Sequence, residues 1–386
     1  MIRCAMVAHL SEVSGAGVAL LDTVRQLDPA RFDCTLVLPG EGPLAGRAKS
    51  MGVEPVVVPN AEVSLDAAGG AWSRMRLLAG RGGYVLRLAK TLRRGKFDLA
   101  YINSTSTVFA GLAAVLARVP VVWHVHETVE NPPGRKLRVK LWVIERLSRG
   151  LLYASQTGVE AFPAPSVARK LVVRNWVDVD RLLAARRNEE LRQSWGAAAD
   201  DVVVLANGLF ARKGADVLLE AAAVALAAGV PLRVVLTGEA PAESADFAGE
   251  LERRAQMGRL KGRVHFTGLV SDMPTALASA DLFVSASRNE ALPILIVEAL
   301  VCGTPVVCTD VGDCALLLRG GRRGALVKPG DAAALAAVLT YEARHRESRA
   351  PMIARVRDEV AQDFGGKDFR APLETFLAET VGEATR

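Results

Sequence analysis

Two glutamates are the residues of this chain best suited to chemistry. Glu290 and Glu298 stand with seven residues between them in SRNEALPILIVEALVCGTPVVCTDVGD. Glu290 follows an apolar, strand-like run and Glu298 lies about two helical turns later, so both carboxylates are expected at one edge of a sheet. Because a carboxylate accepts several hydrogen bonds at once, Glu298 suits the vicinal diol of a ribose and Glu290 suits sugar hydroxyls. Such a pair alone is more often a solvated helix face, but its setting within Ser287 to Gly312 favours a binding site.

Two adjacent cations occur in NGLFARKG, residues 207–214, between a predicted strand and a long predicted helix. Cations at the start of a helix oppose the positive end of the helix dipole. Their placement is explained if a polyanion completes the site, since Lys213, with Arg212 and exposed amides, would give a diphosphate charge-assisted hydrogen bonds. The alternative is a solvated turn with incidental charges.

A third stretch, Ser14–Gly17, follows the first predicted strand. Gly15 and Gly17 let the backbone approach a ligand, and the following helix directs its N-terminal amides at any phosphate. A tight strand-to-helix turn explains the same residues. The full G-x-G-x-x-G pattern is absent because Ala19 and Leu20 stand where a further glycine is needed, which argues against an ordinary dinucleotide-binding dehydrogenase.

Length and composition predict two domains of the α/β class. The chain has 386 residues, of which 50% are hydrophobic, and this length exceeds what one core organises efficiently. The longest uninterrupted apolar stretch near the middle, Val108–Ala117, is far shorter than the ~20 residues of a membrane-spanning helix. The N-terminal apolar run meets His9 and Glu12 before any cleavage pattern, so we expect a cytoplasmic chain without a secretory signal.

The five cysteines and the histidines predict no metal site. The cysteines lack metal-ligand spacing and are interpreted as reduced core residues. His124, His126 and Glu127 fall close together, but no further ligand completes a site. We therefore expect neither a metal nor another cofactor.

The net charge of +6 conceals a basic first half: residues 1–180 hold 23 Lys and Arg against 15 Asp and Glu. In VLRLAKTLRR, residues 85–94, apolar and basic residues alternate at roughly helical spacing, which predicts a cationic face suited to anionic lipid headgroups. The alternative is a surface helix packed by its apolar face. Nucleic-acid binding is not expected, because no aromatic residues interleave with the charges. The two basic clusters are Arg74, Arg76, Arg81, Arg87, Lys90, Arg93, Arg94 and Lys96, and Arg135, Lys136, Arg138 and Lys140.

Strand-like and helical runs alternate along the chain, which predicts parallel strands joined by right-handed crossovers. The pattern restarts after Asn175–Asp178, so we expect two Rossmann-like domains facing across a cleft, with ligands at the carboxyl ends of both sheets. The expected divisions are residues 1–177, residues 178–365 and a C-terminal helix, 366–386, that returns to the first domain. The predicted strands are Ile2–Ala8, Cys34–Leu38, Val53–Val58, Leu99–Ile102, Val121–His124, Leu151–Ala154, Val202–Ala206, Arg233–Thr237, Val264–Phe266, Leu282–Ser285, Val306–Cys308 and Ala325–Val327. The predicted helices are Val18–Leu27, Val85–Arg94, Val108–Ala117, Lys136–Ser148, Ala215–Ala228, Ala245–Met257, Ile294–Val301, Ala332–Arg344, Met352–Gln362 and Phe369–Thr380.

These motifs, in this order, resemble the retaining GT-B glycosyltransferases that use nucleotide sugars, often called family 4 or group 1. The resemblance covers nearly the whole chain, and its most specific part is the glutamate pair. The other matching elements are the glycine-bearing loop after the first strand, Trp123–Glu127, Asn175–Asp178, Lys213–Gly214, Gly268–Val270 and Cys302–Val307.

The resemblance implies a nucleotide-sugar donor, held in the second domain, and retention of the anomeric configuration. In such enzymes Glu298 would hold the ribose, Glu290 the donor sugar, and Lys213 the diphosphate. Backbone groups around Val270 would meet the base, and His126 would lie near the transferred sugar. The implied catalytic residues are His126, Lys213 and Glu290; the implied donor-binding residues are Gly15, Gly17, Gly208, Arg212, Lys213, Val270, Pro293, Ile294, Leu295 and Glu298.

One position departs from the family pattern. Such enzymes commonly carry an arginine five residues before the lysine, where this chain has Gly208, and Arg212 is the candidate substitute. The implied acceptor is a glycan, glycolipid or lipid-linked acceptor in cell-surface polysaccharide assembly. A small soluble acceptor and a non-catalytic nucleotide-sugar-binding module stay open as alternatives. The residues identify neither the sugar nor the base, uracil or guanine.

Overall fold

A computed structural model describes residues 1–12, 14–60, 70–126, 134–174, 176–365 and 370–384, without the side chains of 70–78, 347, 383 and 384. The predicted linker residue Asn175, Glu127 and the side chains of Arg74 and Arg76 lie outside this description. The chain divides into two compact units. Unit 1 comprises Met1–Trp176 and Lys367–Arg386, and unit 2 comprises Val177–Gly366.

Unit 1 is built on a seven-stranded sheet in the order β3-β2-β1-β4-β5-β6-β7, with every pair parallel. Both faces are covered, which is why its strands are near-continuous apolar runs. Core residues of α3, α4 and α5 cover one face, and those of α1, α2 and α16 cover the other. The strands are β1 (Ile2–Val7), β2 (Phe32–Leu38), β3 (Val56–Val57), β4 (Leu99–Asn103), β5 (Val121–Val125), β6 (Gly150–Tyr153) and β7 (Arg169–Val172). The helices are α1 (Gly15–Gln26), α2 (Pro43–Ser50), α3 (Gly70–Gly95), α4 (Val108–Ala117), α5 (Arg135–Leu147), α6 (Gln156–Ala161) and α16 (Arg370–Ala384).

Unit 2 is built on a six-stranded parallel sheet in the order β10-β9-β8-β11-β12-β13. This order is that of a doubly wound sheet, which reverses direction between β8 and β11. The strands are β8 (Val202–Asn207), β9 (Leu232–Thr237), β10 (Val264–Phe266), β11 (Leu282–Ser285), β12 (Val306–Thr309) and β13 (Ala325–Val327). The helices are α7 (Val179–Ala184), α8 (Glu189–Ser194), α9 (Ala215–Ala227), α10 (Ala245–Ala255), α11 (Met273–Ser279), α12 (Ile294–Cys302), α13 (Cys314–Leu317), α14 (Ala332–Arg344) and α15 (Ala350–Gly365).

The predicted fold class, two parallel-sheet α/β domains, is confirmed. The second sheet was predicted almost residue by residue, but the first sheet contains a strand, β7, that the sequence pattern missed. The predicted strand Val53–Val58 shrinks to the two residues of β3 at the sheet edge. Short helices such as α2, α6, α8 and α11 were also missed.

The C-terminal helix α16 packs against unit 1. Leu373 and Leu377 are buried among the core residues of α1 and α2. The Glu374 carboxylate accepts a hydrogen bond of 2.9 Å from the backbone N–H of Asp28 and one of 2.5 Å from Arg31. The ring of Phe376 lies so close to Gly150 that a Cβ there would sit 2.7 Å from it, so any larger residue would displace this ring.

The apolar face of α3 is not available to a membrane. Leu88 and Leu92 are fully buried in the core of unit 1, and Ala89 is buried beside them. Packing by the apolar face, one of the two interpretations of this helix, is therefore confirmed for these residues. Docking of its cationic face on anionic lipid headgroups stays a prediction.

All five cysteines are free, as predicted, and Cys4, Cys308 and Cys314 are buried. Within the described ranges, no helix is long and apolar enough to cross a lipid bilayer.

Candidate functional site

The candidate site of unit 2 lies at the carboxyl edge of its sheet, where the strand order reverses. The loop after β8 carries Arg212 and Lys213, and the loop after β11 carries Glu290. Because β8 and β11 are neighbours in the sheet, these two loops meet at the same edge. Doubly wound sheets bind their ligands at this point.

Glu290 binds both predicted cations. Its Oε1 atom lies 2.7 Å from Lys213 Nζ and 3.0 Å from Arg212 Nη1, and it also accepts a hydrogen bond of 3.2 Å from the Ser287 hydroxyl. Arg212 additionally donates to the Asn289 carbonyl at 3.0 Å and lies over the Phe210 ring. Two cations share one carboxylate, so the cluster keeps an unbalanced positive charge suited to an anionic ligand.

Arg288 ties the two loops together. Its guanidinium makes two bonds to the Asp216 carboxylate, at 2.9 and 2.6 Å, and its backbone N–H donates to the Arg212 carbonyl at 2.8 Å. The hydrogen bond from Arg288 to Asp216 raises the pKa of Arg288 above its ordinary value. These bonds fix Lys213 relative to Glu290. Arg288 was not predicted as a site residue, although it stands two residues before Glu290.

Glycines at two positions make the cation loop. Gly208 has φ +98°, and a Cβ there would lie 2.6 Å from Lys213 Cγ, because the lysine stem packs against residue 208. Gly214 has φ +69°, and a Cβ would lie 2.0 Å from the Ala286 carbonyl oxygen. Both positions therefore require glycine. Gly208 gives room to the Lys213 stem. Its assignment as a donor-binding residue stays a prediction.

The loop that carries Glu290 is supported from β12. Gly312 has φ +54°, and a Cβ there would lie 2.1 Å from the Glu290 carbonyl oxygen. The N–H of Asp313 donates to the Ala291 carbonyl at 2.8 Å. Close backbone packing thus explains the glycine in the VGD sequence that follows β12.

Helix α12 begins beside this cluster. Pro293 is its N-cap residue and makes no side-chain capping bond, so the first helical amides, at Ile294 and Leu295, depend on other partners. Val270 packs against the same apolar cluster as Ile294 and Leu295. Glu298 lies one turn further along α12 and is half-buried. Burial, and secondarily the charge of Glu298, raise the pKa of Cys302 to about 12.

The candidate residues of unit 1 meet at the carboxyl edge of the first sheet. Asn103, at the end of β4, donates through Nδ2 to the Ala16 carbonyl at 2.8 Å, and its Oδ1 lies 2.7 Å from His126 Nε2. Asn103 thereby joins the Gly15–Gly17 loop to His126. Because an amide oxygen only accepts, the proton of this bond belongs to His126 Nε2. Asn103 was not predicted as a site residue, because its only signal in the sequence is a polar residue at the end of a buried strand.

The two loop glycines differ in how tightly they are packed. A Cβ at Gly17 would lie 3.2 Å from Leu44, whereas a Cβ at Gly15 would meet nothing within 4 Å. Ser14 caps α1 by accepting a bond of 3.1 Å from the Gly17 N–H. Gly15 therefore leaves open space beside the helix N-terminus.

The ring of His124 packs against the ring of His126. The two rings lie 3.8 Å apart between centroids, and the Tyr101 hydroxyl binds His124 Nδ1 at 2.5 Å. Burial, and secondarily the neighbouring His126, lower the pKa of His124 well below its ordinary value. His124 is thus a neutral, buried ring.

Lowering the pH from 7 to 5 is expected to destabilise unit 1 through His124. The unfolded chain binds the proton with an ordinary pKa of about 6.5, so below that pH the unfolded state holds more protons. Stability then falls with falling pH by up to about 1.4 kcal/mol per pH unit. Urea unfolding at both pH values measures this loss. His124→Gln should reduce this pH dependence of the free energy of unfolding, whereas the exposed control His345→Gln should not. Equal pH dependence in the wild type and in His124→Gln would contradict the assignment.

Among the described residues, no group of three or more His, Cys, Asp or Glu side chains is arranged to hold a metal ion. The chemistry of unit 2 at this edge is that of cations, amides and carboxylates.

Two family models match consecutive parts of the chain. One, described as a glycosyl transferase 4-like domain, matches residues 14–208, and the other, described as glycosyl transferases group 1, matches residues 200–341. The chain belongs to the group 1 glycosyltransferases. The first of these matches covers the Gly15 loop and His126, and the second covers Arg212, Lys213 and the glutamate pair.

Individual relatives agree with this glycosyltransferase assignment. The chain is 28% identical over 287 residues to the α-D-kanosaminyltransferase of Streptomyces kanamyceticus, covering 67% of this chain and 70% of that one. It is 31% identical over 151 residues to a GDP-mannose-dependent α-(1-6)-phosphatidylinositol dimannoside mannosyltransferase of Mycobacterium tuberculosis, covering 38% and 37%. The fold is similar to that of Anabaena HepE, solved with UDP-glucose, with a TM-score of 0.83, 24% identity and coverage of 99% and 100%.

Proposed function

We propose that this glycosyltransferase moves a sugar from a UDP- or GDP-sugar to a glycan, glycolipid or lipid-linked acceptor in cell-surface polysaccharide assembly, with retention of configuration. We place it in the cytoplasm, at the inner face of the membrane. The observation that carries the proposal is the cluster of Arg212, Lys213 and Glu290 at the edge of the second sheet, beside the N-terminus of α12. Two relatives support a nucleotide-sugar donor: one is named as a GDP-mannose-dependent mannosyltransferase, and the structure of another was solved with UDP-glucose.

The charges of the cluster suit a diphosphate. Lys213 and Arg212 supply positive charge, and the α12 amides at Ile294 and Leu295 add the positive end of a helix dipole. When the bond between the anomeric carbon and the diphosphate oxygen breaks, that oxygen gains negative charge. Lys213 then stabilises the leaving diphosphate more strongly than the bound donor, and this difference lowers the barrier.

Glu290 changes partners in the proposed reaction. In the structure, its Oε1 atom contacts Lys213, Arg212 and Ser287. A diphosphate competes for the two cations and releases the carboxylate to accept hydrogen bonds from sugar hydroxyls. Donor binding and sugar recognition are thereby coupled at one oxygen.

The acceptor proton follows from retention. The acceptor hydroxyl attacks the face that the diphosphate leaves, and its proton passes to the leaving phosphate oxygen. The anomeric carbon gains the acceptor oxygen and loses the diphosphate oxygen. His126, with its Nε2 proton held by Asn103, is proposed to contact the transferred sugar.

Replacing Glu298 by alanine is expected to weaken donor binding more than tenfold, because the ribose diol loses a bidentate acceptor. Calorimetry with UDP and GDP measures the dissociation constant. The matched control is Glu252→Ala, which removes an exposed glutamate of α10 in the same unit and should bind as the wild type does. Unchanged affinity in Glu298→Ala would overturn the ribose assignment.

A donor screen tests the proposal as a whole. UDP- and GDP-sugars are added to the full chain, and the shift in Tm identifies the donor because binding stabilises the folded state. Radiolabelled donor is then followed for slow hydrolysis and for transfer to a lipid extract. Binding without hydrolysis or transfer would instead assign a non-catalytic nucleotide-sugar-binding module.

A further inference from the structure

Helix α5 carries apolar residues on two opposite faces. Leu137, Leu141 and Ile144 pack into the core of unit 1. On the other side, Arg135, Val139, Trp142 and Arg146 follow one another at intervals of four, three and four residues, so they form one outward stripe. The core does not explain the apolar members of this stripe.

The outward stripe exposes large apolar side chains to water. Val139 is 58% exposed and Trp142 is 57% exposed. The Arg146 guanidinium lies 5.7 Å from the centre of the Trp142 ring. The one acidic residue of α5, Glu145, accepts a hydrogen bond of 2.7 Å from the Ser166 backbone N–H, so its charge has a partner within the unit.

The neighbouring helix extends this surface. Helix α4 packs against both α3 and α5, and its residues Leu112, Val115 and Leu116 are exposed at helical spacing. Arg93 of α3 donates to the Leu116 carbonyl. In the part of α3 whose side chains are described, residues 79–95, five residues are basic and none is acidic, and α5 carries five basic residues and one acidic one. An apolar surface on α4 and α5 is thus bordered by positive charge.

We propose that the outward face of α4 and α5 docks on an anionic lipid bilayer, with Trp142 and Val139 in the headgroup region and the arginines on lipid phosphates. Tryptophan prefers the membrane interface, and each basic residue near an anionic surface adds attraction. A second copy of the chain fits less well, because an interface through this face would oppose two like-charged surfaces.

The docking face places the membrane beside the acceptor edge. Helix α5 follows β5, so it starts, at Arg135, on the carboxyl edge of the sheet, where His126 and Gly15 also lie. A bilayer on α5 therefore presents a lipid-borne acceptor to that edge. This last step rests on the proposed function, whereas the docking itself does not.

Vesicle co-sedimentation of the full chain tests the docking face. The vesicles are phosphatidylcholine alone or phosphatidylcholine mixed with phosphatidylglycerol, and salt is varied because it screens exposed charges. The wild type should bind only the anionic vesicles, and less at high salt. Arg135→Gln with Arg146→Gln should weaken binding about thirtyfold, or about fivefold for each charge. Trp142→Ser should weaken it about tenfold through lost insertion.

Two matched variants serve as controls. Arg47→Gln with Lys49→Gln removes two exposed charges from α2, on the other face of the sheet, and Met257→Ser removes an exposed apolar side chain of unit 2. Both should bind as the wild type does. Equal losses in the control variants, no preference for anionic vesicles, or concentration-dependent dimers abolished by Trp142→Ser would each overturn the proposal.

Donor hydrolysis in vesicle-free buffer separates this proposal from the proposed function. The α5 variants should hydrolyse a nucleotide sugar at the wild-type rate, because none of the substituted residues belongs to the donor site. If the wild type binds anionic vesicles but hydrolyses no donor, the enzymatic proposal fails while the docking face stands.

Discussion

Replacing Lys213 by alanine is expected to lower kcat by about 10²–10³, the usual cost of removing one group that stabilises developing negative charge. Lys213 Nζ lies 2.7 Å from Glu290 Oε1, so it already stands beside the carboxylate that is assigned to the donor sugar. Its charge matters most when the diphosphate leaves. The loss in kcat should therefore exceed the loss in donor affinity, which we expect to stay within about tenfold.

Single-turnover transfer of radiolabelled donor, with calorimetry of the same variants, measures the two quantities separately. Lys261→Ala, which removes an exposed lysine of unit 2, is the matched control and should leave both unchanged. Equal losses in turnover and affinity for Lys213→Ala would argue that the lysine binds the donor uniformly and contributes nothing further to the transition state.

The strands of the second sheet could be predicted from the sequence because a parallel sheet is buried on both faces. Strands such as β8 and β11 are apolar on both faces, so their ends were predicted to within one residue. The missed strand β7 has the sequence RKLV and lies at the sheet edge, where charged side chains are tolerated. Its pattern does not differ from that of a loop.

The site residues were predictable as types, whereas their partners were not. Lys213 and Glu290 were found from local motifs, but the shared Oε1 atom depends on two loops that meet only because β8 and β11 are neighbours. Asn103 and Arg288 were missed for the same reason: each joins segments that are distant in sequence.

The basic helices α3 and α5 show what helical spacing in a sequence cannot predict. The pattern of α3 correctly indicated an apolar and a cationic face, but it did not say that Leu88 and Leu92 serve the core. In α5, apolar residues occur on both faces, and only the three-dimensional packing separates Leu141 from Trp142. Burial therefore decides between these helices where sequence spacing does not.

Introducing the family arginine as Gly208→Arg is expected to lower kcat about a hundredfold instead of improving the site. Residue 208 has φ +98°, a backbone conformation that costs a non-glycine residue about 1–3 kcal/mol. The new Cβ would lie 2.6 Å from Lys213 Cγ and displace the lysine stem. The variant thus loses the function of Lys213, with the magnitude expected for one missing charge-stabilising group.

Gly208→Ala separates the causes of that loss. It adds the Cβ but no guanidinium, so if displacement of Lys213 is the cause, alanine should lower kcat nearly as much as arginine does.

If Gly208→Arg raised kcat and made Arg212→Ala harmless, the second diphosphate cation would belong at position 208. The expected opposite result, a loss in Gly208→Arg and a further loss of donor affinity in Arg212→Ala, assigns that role to Arg212. Its guanidinium already lies 3.0 Å from Glu290 and over the Phe210 ring, on a loop whose shape depends on the glycine. From the conformation of this loop, we therefore expect the second cation of this chain to follow Phe210 instead of preceding it.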